Sequence, residues 1–392
     1  METLLEKEIV FPEAETLSSA EETFHRVALT RVDGIGDAYT KKLIARFGDA
    51  AAVFRAKQKD LLSSGVDEEK ASAILGFRGF AAVEAELLQL EKEGVRVLYH
   101  TDQDYPHRLR DIPDSPPLLF YKGNADLNAK KIVAVIGTRS PSDYGRQVTA
   151  QLIRQLEQSG ILVVSGLALG IDTAAHKAAL NHHLPTIGVL GHGFRHLYPP
   201  ENKTLAKAML REGGLLTSFA YSDKPDGFRF PDRNRIVAAL CDAVLVVETA
   251  RQGGSLLTVG EALKYGRKVF TVPGRLTDPR SAGCNWLLQQ RLADALISGE
   301  QLVSTMGWDW PANGVGIQAS LPFSSPDDRK KPEDGLLALL QEKDSLSIDE
   351  LTMQSQLPPS SIALLLVNLE LRGLISVLPG KRYRLNQPLM HV

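Results

Sequence analysis

The 392 residues carry 45 Lys and Arg against 47 Asp and Glu, a formal net charge of −2 at pH 7, with 43% hydrophobic residues. Such a chain is long enough for two or three globular domains, and its near-neutrality means that a polyanion must be held by a local basic patch rather than by the whole surface. Cys241 and Cys284 stand far apart outside any C-x-x-C pair, which argues against a disulfide framework or a zinc site and fits a reducing cytoplasm.

Met1 to Ser19 lacks the basic and apolar regions of a secretion signal, and no run approaches the roughly 20 apolar residues of a membrane span, so neither secretion nor a membrane partner is expected. Residues 20–94 read as a module of short helices broken by Gly34, Gly36, Gly48 and Gly65. Val32-Asp-Gly34-Ile-Gly36 resembles the hairpin of a helix-hairpin-helix, SAM-like domain, and Leu62 to Leu75 looks like a degenerate second copy. Gly34, Gly36 and Lys41 are therefore candidates for weak DNA contact, with Lys42 and Arg46 adding charge; a structural or protein-docking role for the same helices stands beside that reading.

Residues 95–300 form the next domain, with its core at 128–298. Its first part is irregular, with Val95 to Leu98 and Leu118 to Tyr121 as short apolar pieces that suit an edge strand. Six β-branched runs then alternate with helix-length segments: Ile132 to Ile136, Ile161 to Val164, Thr186 to Leu190, Leu215 to Ser218, Ala243 to Val247 and Val269 to Val272. Apolar at alternate and intervening positions, they predict strands buried on both faces of a doubly wound, mainly parallel α/β sheet.

Ligands of open α/β sheets bind beyond the carboxyl ends of the strands. The first run ends in Gly137-Thr138-Arg139-Ser140, where a dinucleotide fingerprint would place a second glycine instead of Arg139. A guanidinium there crowds a buried pyrophosphate but suits an exposed phosphate, so no cofactor is expected. Ser165-Gly166 to Gly170, with Asp172 or Thr173 as a cap, and Glu248 through Gly253-Gly254-Ser255 to Thr258 repeat the glycine-loosened design and offer amides to an anion. Lys224 to Arg235 interleaves cations and aromatics. Arg233 and Arg235 suit phosphates, Phe228 or Phe230 a stacked base, and Asn234 a base edge or sugar, as in a grip on single strands. The bland alternative is that one Phe plugs the core and one Arg pairs internally with Asp232 or Glu248.

Residues 308–332 have linker composition, and 333–392 form a small domain of three helices and a two-stranded wing from Ile375 to Leu385, resembling a winged helix. Its third helix carries Asn368 and Glu370 but little that reads a groove, which favours packing or protein contact; Lys381, Arg382 and Arg384 leave weak phosphate contact open.

Gly137-Thr-Arg-Ser140, Ser165-Gly-Leu-Ala-Leu-Gly-Ile-Asp-Thr-Ala-Ala-His176, Phe230-Pro-Asp-Arg-Asn-Arg235, Gly254-Ser-Leu-Leu-Thr258 and Val272-Pro-Gly274 together resemble the DNA processing protein A (DprA/Smf) family. The resemblance implies an extended Rossmann-like domain that binds single-stranded DNA, dimerises through that domain and acts with RecA in natural transformation, without a catalytic step. It points to Arg139, Phe230, Arg233 and Arg235 as DNA contacts. Two competitors remain. Gln252 to Thr258 with Glu261 faintly resembles the motif of nucleoside-monophosphate phosphoribohydrolases, with Glu248 as a candidate base, and a RecA-docking scaffold would need no DNA contact. No Walker motif occurs, and His182, His183, His192 and His196 lack a metal-ligand spacing.

Overall fold

A computed structural model of the chain describes residues 19–309, 332–343, 345–355, 357–371, 374–378 and 382–386. Residues 310–331, most of the expected linker, and Lys381 lie outside the described residues. The chain divides into two compact units, Met1–Gly314 and Val315–Val392.

The first unit opens with six helices: α1 (Ser19–Leu29), α2 (Asp37–Phe47), α3 (Ala50–Arg55), α4 (Gln58–Ser63), α5 (Glu68–Leu75) and α6 (Phe80–Lys92). Asp49 and Asp67 cap α3 and α5 by accepting backbone N–H bonds, as aspartates at helix starts do. Gly34 and Gly65 take the positive φ of the tight turns between helices. The helices close on a core that includes Leu43, Leu61 and Ile74, and Tyr99 and Leu118 of the following strands complete it.

There follow β1 (Arg96–Tyr99), α7 (His107–Arg110), β2 (Leu118–Gly123), β3 (Ile132–Ile136), α8 (Asp143–Gln155), β4 (Leu162–Ser165), α9 (Ile171–Asn181), β5 (Thr186–Val189), α10 (Lys203–Glu212) and β6 (Gly214–Thr217). The unit ends with α11 (Phe230–Leu240), β7 (Ala243–Val246), α12 (Ser255–Lys264), β8 (Lys268–Thr271), α13 (Ala282–Gln289), β9 (Asp294–Ala295) and α14 (Gly299–Thr305). The nine strands are ordered β1-β2-β6-β5-β4-β3-β7-β8-β9. From β6 to β9 every pairing is parallel, while β2 runs antiparallel to both β1 and β6. The irregular connector thus supplies two strands at the sheet's edge where the sequence suggests one.

The two faces of the sheet are sorted by alternate residues. Ile132, Ala134 and Ile136 enter one core with helices α11 and α12, and Val133 and Val135 enter the other with α8 and α9. Burial on both sides explains why the strands read as unbroken apolar runs. The chain reverses its direction of travel across the sheet between β3 and β7, so a crevice opens at their carboxyl ends.

The second unit packs α15 (Pro332–Glu342), α16 (Ile348–Ser355) and α17 (Pro359–Leu371) on a small antiparallel sheet of β10 (Leu346–Ser347), β11 (Ile375–Leu378) and β12 (Arg382–Leu385) in the order β10-β12-β11. Leu340, Leu351, Ile362, Leu366 and Ile375 form its core. The wing expected from sequence is the β11–β12 pair, and β10 adds a third strand.

Candidate nucleic-acid interface

The turns after β3, β4 and β7 form one body. The Thr138 N–H donates to Glu248 O at 2.7 Å, and Ile171 N–H donates to Thr138 O at 3.1 Å. Gly170 has φ +86°, and any side chain there would run into the Thr138 carbonyl. These glycines therefore let the turns lie against one another. That arrangement corrects, for four of these amides, the expectation that they stand ready for an anion: Gly166 and Ala168 give theirs to the Asp172 carboxylate at 3.1 and 3.3 Å, Ser140 to Thr138 Oγ1, and Gly253 to Ala250 O. Ser165 is fully buried, with its hydroxyl donating to Val135 O at 2.6 Å, and Thr258 is buried as well. Gly254 and Ser255 open α12, with the Ser255 hydroxyl bonded to Thr249 Oγ1.

Arg139 is exposed. Its guanidinium carbon stands 5.1 Å from the centre of the Phe230 ring, a cation held against an aromatic face. Phe230 begins α11, where Pro231 occupies the first turn without losing a hydrogen bond, and its ring also lies 5.7 Å from the Arg233 guanidinium carbon and 6.3 Å from the Tyr198 ring. Arg139, Phe230 and Tyr198, with Gly166, Leu169, His192 and Arg233, line a hollow of about 40 Å³. Enclosed ligand pockets usually span about 300–1,000 Å³, so the hollow admits a small group from a larger ligand lying outside it. Phe228, 91% exposed, is the free aromatic of the stretch, and Lys224 is exposed beside it.

Arg233 sits beneath this surface, 5% exposed. Its Nη1 donates to Gly166 O and to Val189 O (2.9 Å), and Nε donates to the Asn234 side-chain oxygen at 2.9 Å. It thereby ties the ends of β4 and β5 to α11, and it supplies charge to the hollow rather than an exposed phosphate clamp. Burial raises the Asp172 carboxyl above its usual range, an effect opposed by the charge of Arg233. Arg233 is thus held internally by carbonyls, and the ion pair expected between one arginine and Asp232 or Glu248 is made by Arg235 with Asp232 at 4.0 Å.

Arg235 is half-buried among carboxylates. Its guanidinium lies 3.8 Å from Asp37, 3.7 Å from Asp114 and 4.0 Å from Asp232, joining the helical module to α11. Lys41 belongs to the same join, donating to Pro113 O at 2.7 Å and Ser115 O at 2.9 Å. A phosphate role for Arg235 or Lys41 would require these internal contacts to be given up. Gly34 and Gly36 lie in the α1–α2 turn, and neither lines the strand-end hollow.

Glu248 is buried and accepts hydrogen bonds from the Ser142 N–H (2.9 Å) and the Ser142 hydroxyl, so it buttresses the start of α8. Glu261 lies on α12 with Lys264 at 3.5 Å. The two carboxylates of the enzyme reading thus have separate structural partners. Among the histidines, His182 pairs with Glu157, and His192 accepts the Tyr198 N–H at Nε2 (3.2 Å) while Nδ1 faces Gly193 O (2.9 Å). Burial lowers the His192 pKa, which keeps this neutral arrangement. Sequence reasoning missed His192 and Tyr198 as members of this site; the signal available was Gly191-His192 at the end of β5, with Tyr198 in the same loop.

Residues 96–307, more than half of the chain, match the family model of DNA recombination-mediator protein A. The chain belongs to that family, DprA/Smf. Residues 322–381 match the DprA winged helix domain. Protein Smf of Synechocystis sp. is 30% identical over 389 residues, covering 91% of this chain and 97% of the relative, and Protein Smf of Escherichia coli is 33% identical over 336 residues, covering 83% and 87%. The X-ray structure of DprA from Streptococcus pneumoniae aligns with a TM-score of 0.64 at 32% identity, over 74% of this chain and 99% of that one. A Helicobacter pylori DprA structure, described as giving insight into a unique single-stranded DNA binding mode, aligns with a TM-score of 0.50 at 29% identity, over 55% of this chain and 97% of that one. In the DprA-type winged helix, the outward face of α17 carries Ala363, Leu364, Val367 and Glu370, without a cation. Among the described residues no helix is long and apolar enough to cross a membrane.

Proposed function

We propose that this protein binds single-stranded DNA in DNA uptake and recombination, protects the incoming strand and helps to load RecA on it during natural transformation. The observation that carries the reading is the exposed Arg139 guanidinium lying against Phe230 at the mouth of a hollow that is too small to enclose a nucleotide. Phosphates lie along the rim at Arg139 and the start of α12, while an unpaired base meets Phe230, Tyr198 or the exposed ring of Phe228. Arg233 and Asn234 hold that surface from beneath, and Lys224 adds charge beside it. The Helicobacter pylori relative, described as a single-stranded DNA binder, supports the same ligand class.

Hand-over to RecA and a homodimer built through the Rossmann-like domain follow from the family likeness, and the mediator description of the family agrees with the first. The apolar outer face of α17 suits a protein-contact role for the winged helix better than groove reading. The reading includes no catalytic step and no cofactor, and it places the protein in the cytoplasm.

The test is Arg139→Ala, titrated with labelled oligo-dT by fluorescence anisotropy across a salt series. Removing one cation–phosphate pair from a single-strand complex lowers the log–log salt slope by about 0.7. An unchanged slope and affinity would assign Arg139 a structural role and remove the main support for the site.

A further inference from the structure

The loops after β7 and β8 carry a second concentration of cations. Residues 249–255 and 273–283 contain Arg251, Arg275 and Arg280 and one acid, Asp278, a local charge of 3 − 1 = +2 in a chain whose total is −2. All three arginines are exposed, and none pairs with a carboxylate among the described residues. Asp278 accepts the backbone N–H of Arg280 at 2.9 Å, so its carboxylate is engaged in shaping the loop. Arg251 is held in place by Trp286, with the guanidinium carbon 3.8 Å from the ring centre, which leaves less side-chain freedom to lose on binding an anion. Leu276, 92% exposed, presents an apolar side chain beside Arg275 against which a base face can lie.

These loops are continuous with the Arg139 turn. Strand β7 pairs with β3 on one side and β8 on the other, so the three strand ends follow at roughly 5 Å intervals. Their loops are bonded across the rim: Thr138 N–H to Glu248 O at 2.7 Å, Gly283 N–H to Thr249 O at 2.8 Å, and the Tyr144 hydroxyl to Pro273 O at 3.5 Å. The Asn285 side chain fixes the β8 loop by bonding both the amide and the carbonyl of Gly274. A fixed, unpaired cationic rim beside a site for one part of a strand is suited to the sugar-phosphate backbone of the next part.

We propose that the bound single strand continues from Arg139 over the ends of β7 and β8, with its phosphates on a track made by Arg251, Arg275 and Arg280. This extension rests on the single-strand reading of the Arg139–Phe230 site. The test uses the full chain, with labelled oligo-dT of about 20 and about 6 nucleotides, lengths that bracket the usual footprint of one binding surface. In the Arg275→Ala/Arg280→Ala variant the salt slope for the longer oligonucleotide falls by about 1.4, two phosphates at about 0.7 each, and adding Arg251→Ala lowers it further. The shorter oligonucleotide, seated at Phe230, keeps its wild-type slope. An unchanged slope with the longer oligonucleotide, or an equal loss with both lengths, overturns the track. If Arg139→Ala still weakens both lengths in that case, the parent reading stands; wild-type protein that binds neither length overturns both. Circular dichroism of the variants, whose substituted side chains are exposed, confirms that weaker binding does not come from unfolding.

Discussion

Arg233→Met tests the claim that this arginine holds the site from beneath. The substitution keeps most of the side-chain volume, but it deprives Gly166 O and Val189 O of their donor and leaves the Asp172 carboxylate, 7% exposed, without its neighbouring positive charge. Leaving a buried acceptor without its donor costs about 1–3 kcal/mol, so the two carbonyls together lose about 2–6 kcal/mol. The amides of Gly166 and Ala168 continue to bond Asp172, which argues for the lower end of that range. At about 2–4 °C per kcal/mol, the melting temperature falls by roughly 4 °C or more. Because burial raises the Asp172 pKa, the folded state holds its proton above the pH at which the unfolded chain releases it, so stability declines as pH rises through the folded value. Removing Arg233 strengthens that effect. The deficit measured by thermal melts is therefore largest at neutral pH and shrinks on acidification, and Asp172→Asn in the Arg233→Met background removes the shrinkage. A loss below about 1 kcal/mol at neutral pH would refute the structural role and return Arg233 to the ligand surface.

His176 is fully buried, with its pKa lowered to about 3 by burial and by Arg233. Its unfolded form binds a proton below its ordinary value of 6.5, so stability falls as pH drops from there toward 3, at about 1.4 kcal/mol per pH unit near pH 5; urea melts should show that slope flattened in His176→Gln. Gly170→Ala places a side chain at positive φ against the Thr138 carbonyl and should destabilise by more than about 1 kcal/mol while displacing the Arg139 turn, read as a lower urea midpoint together with weaker oligo-dT binding. Phe228→Ala removes a ring that is 91% exposed, so its stability should stay within about 0.5 kcal/mol of wild type while anisotropy shows oligo-dT affinity reduced by about 1–3 kcal/mol.

The sheet was legible because each central strand is buried on both faces, which writes an unbroken apolar run such as Ile132 to Ile136 into the chain. The short pieces around Val97 and Phe120 were harder, since antiparallel pairing at the edge leaves no crossover helix to announce it. Within the candidate site, residue type marked Arg139 and left Phe228 and Phe230 as alternatives for stacking, and only the family resemblance pointed to Phe230. Residue type could not identify partners: Arg233 and Arg235 are two positions apart on α11, and that spacing sends one into carbonyls beneath the hollow and the other to Asp37 and Asp114. Glycine turns likewise look the same in sequence whether their amides face a ligand or, as at Gly166 and Gly253, bond acceptors within the protein. His192 was weighed only as a metal ligand and Tyr198 not at all, because only the fold brings the end of β5 beside Phe230.

The central claim is that unpaired strands are the ligand, since bases can reach Phe230, Tyr198 and Phe228 only when they are not stacked in a duplex. Equilibrium competition of oligo-dT against a duplex of equal length, at one fixed salt concentration, tests it most directly. The account predicts that the single strand displaces the duplex and binds at least tenfold more tightly, about 1.4 kcal/mol. Equal affinity for the two, or binding to neither, would contradict it.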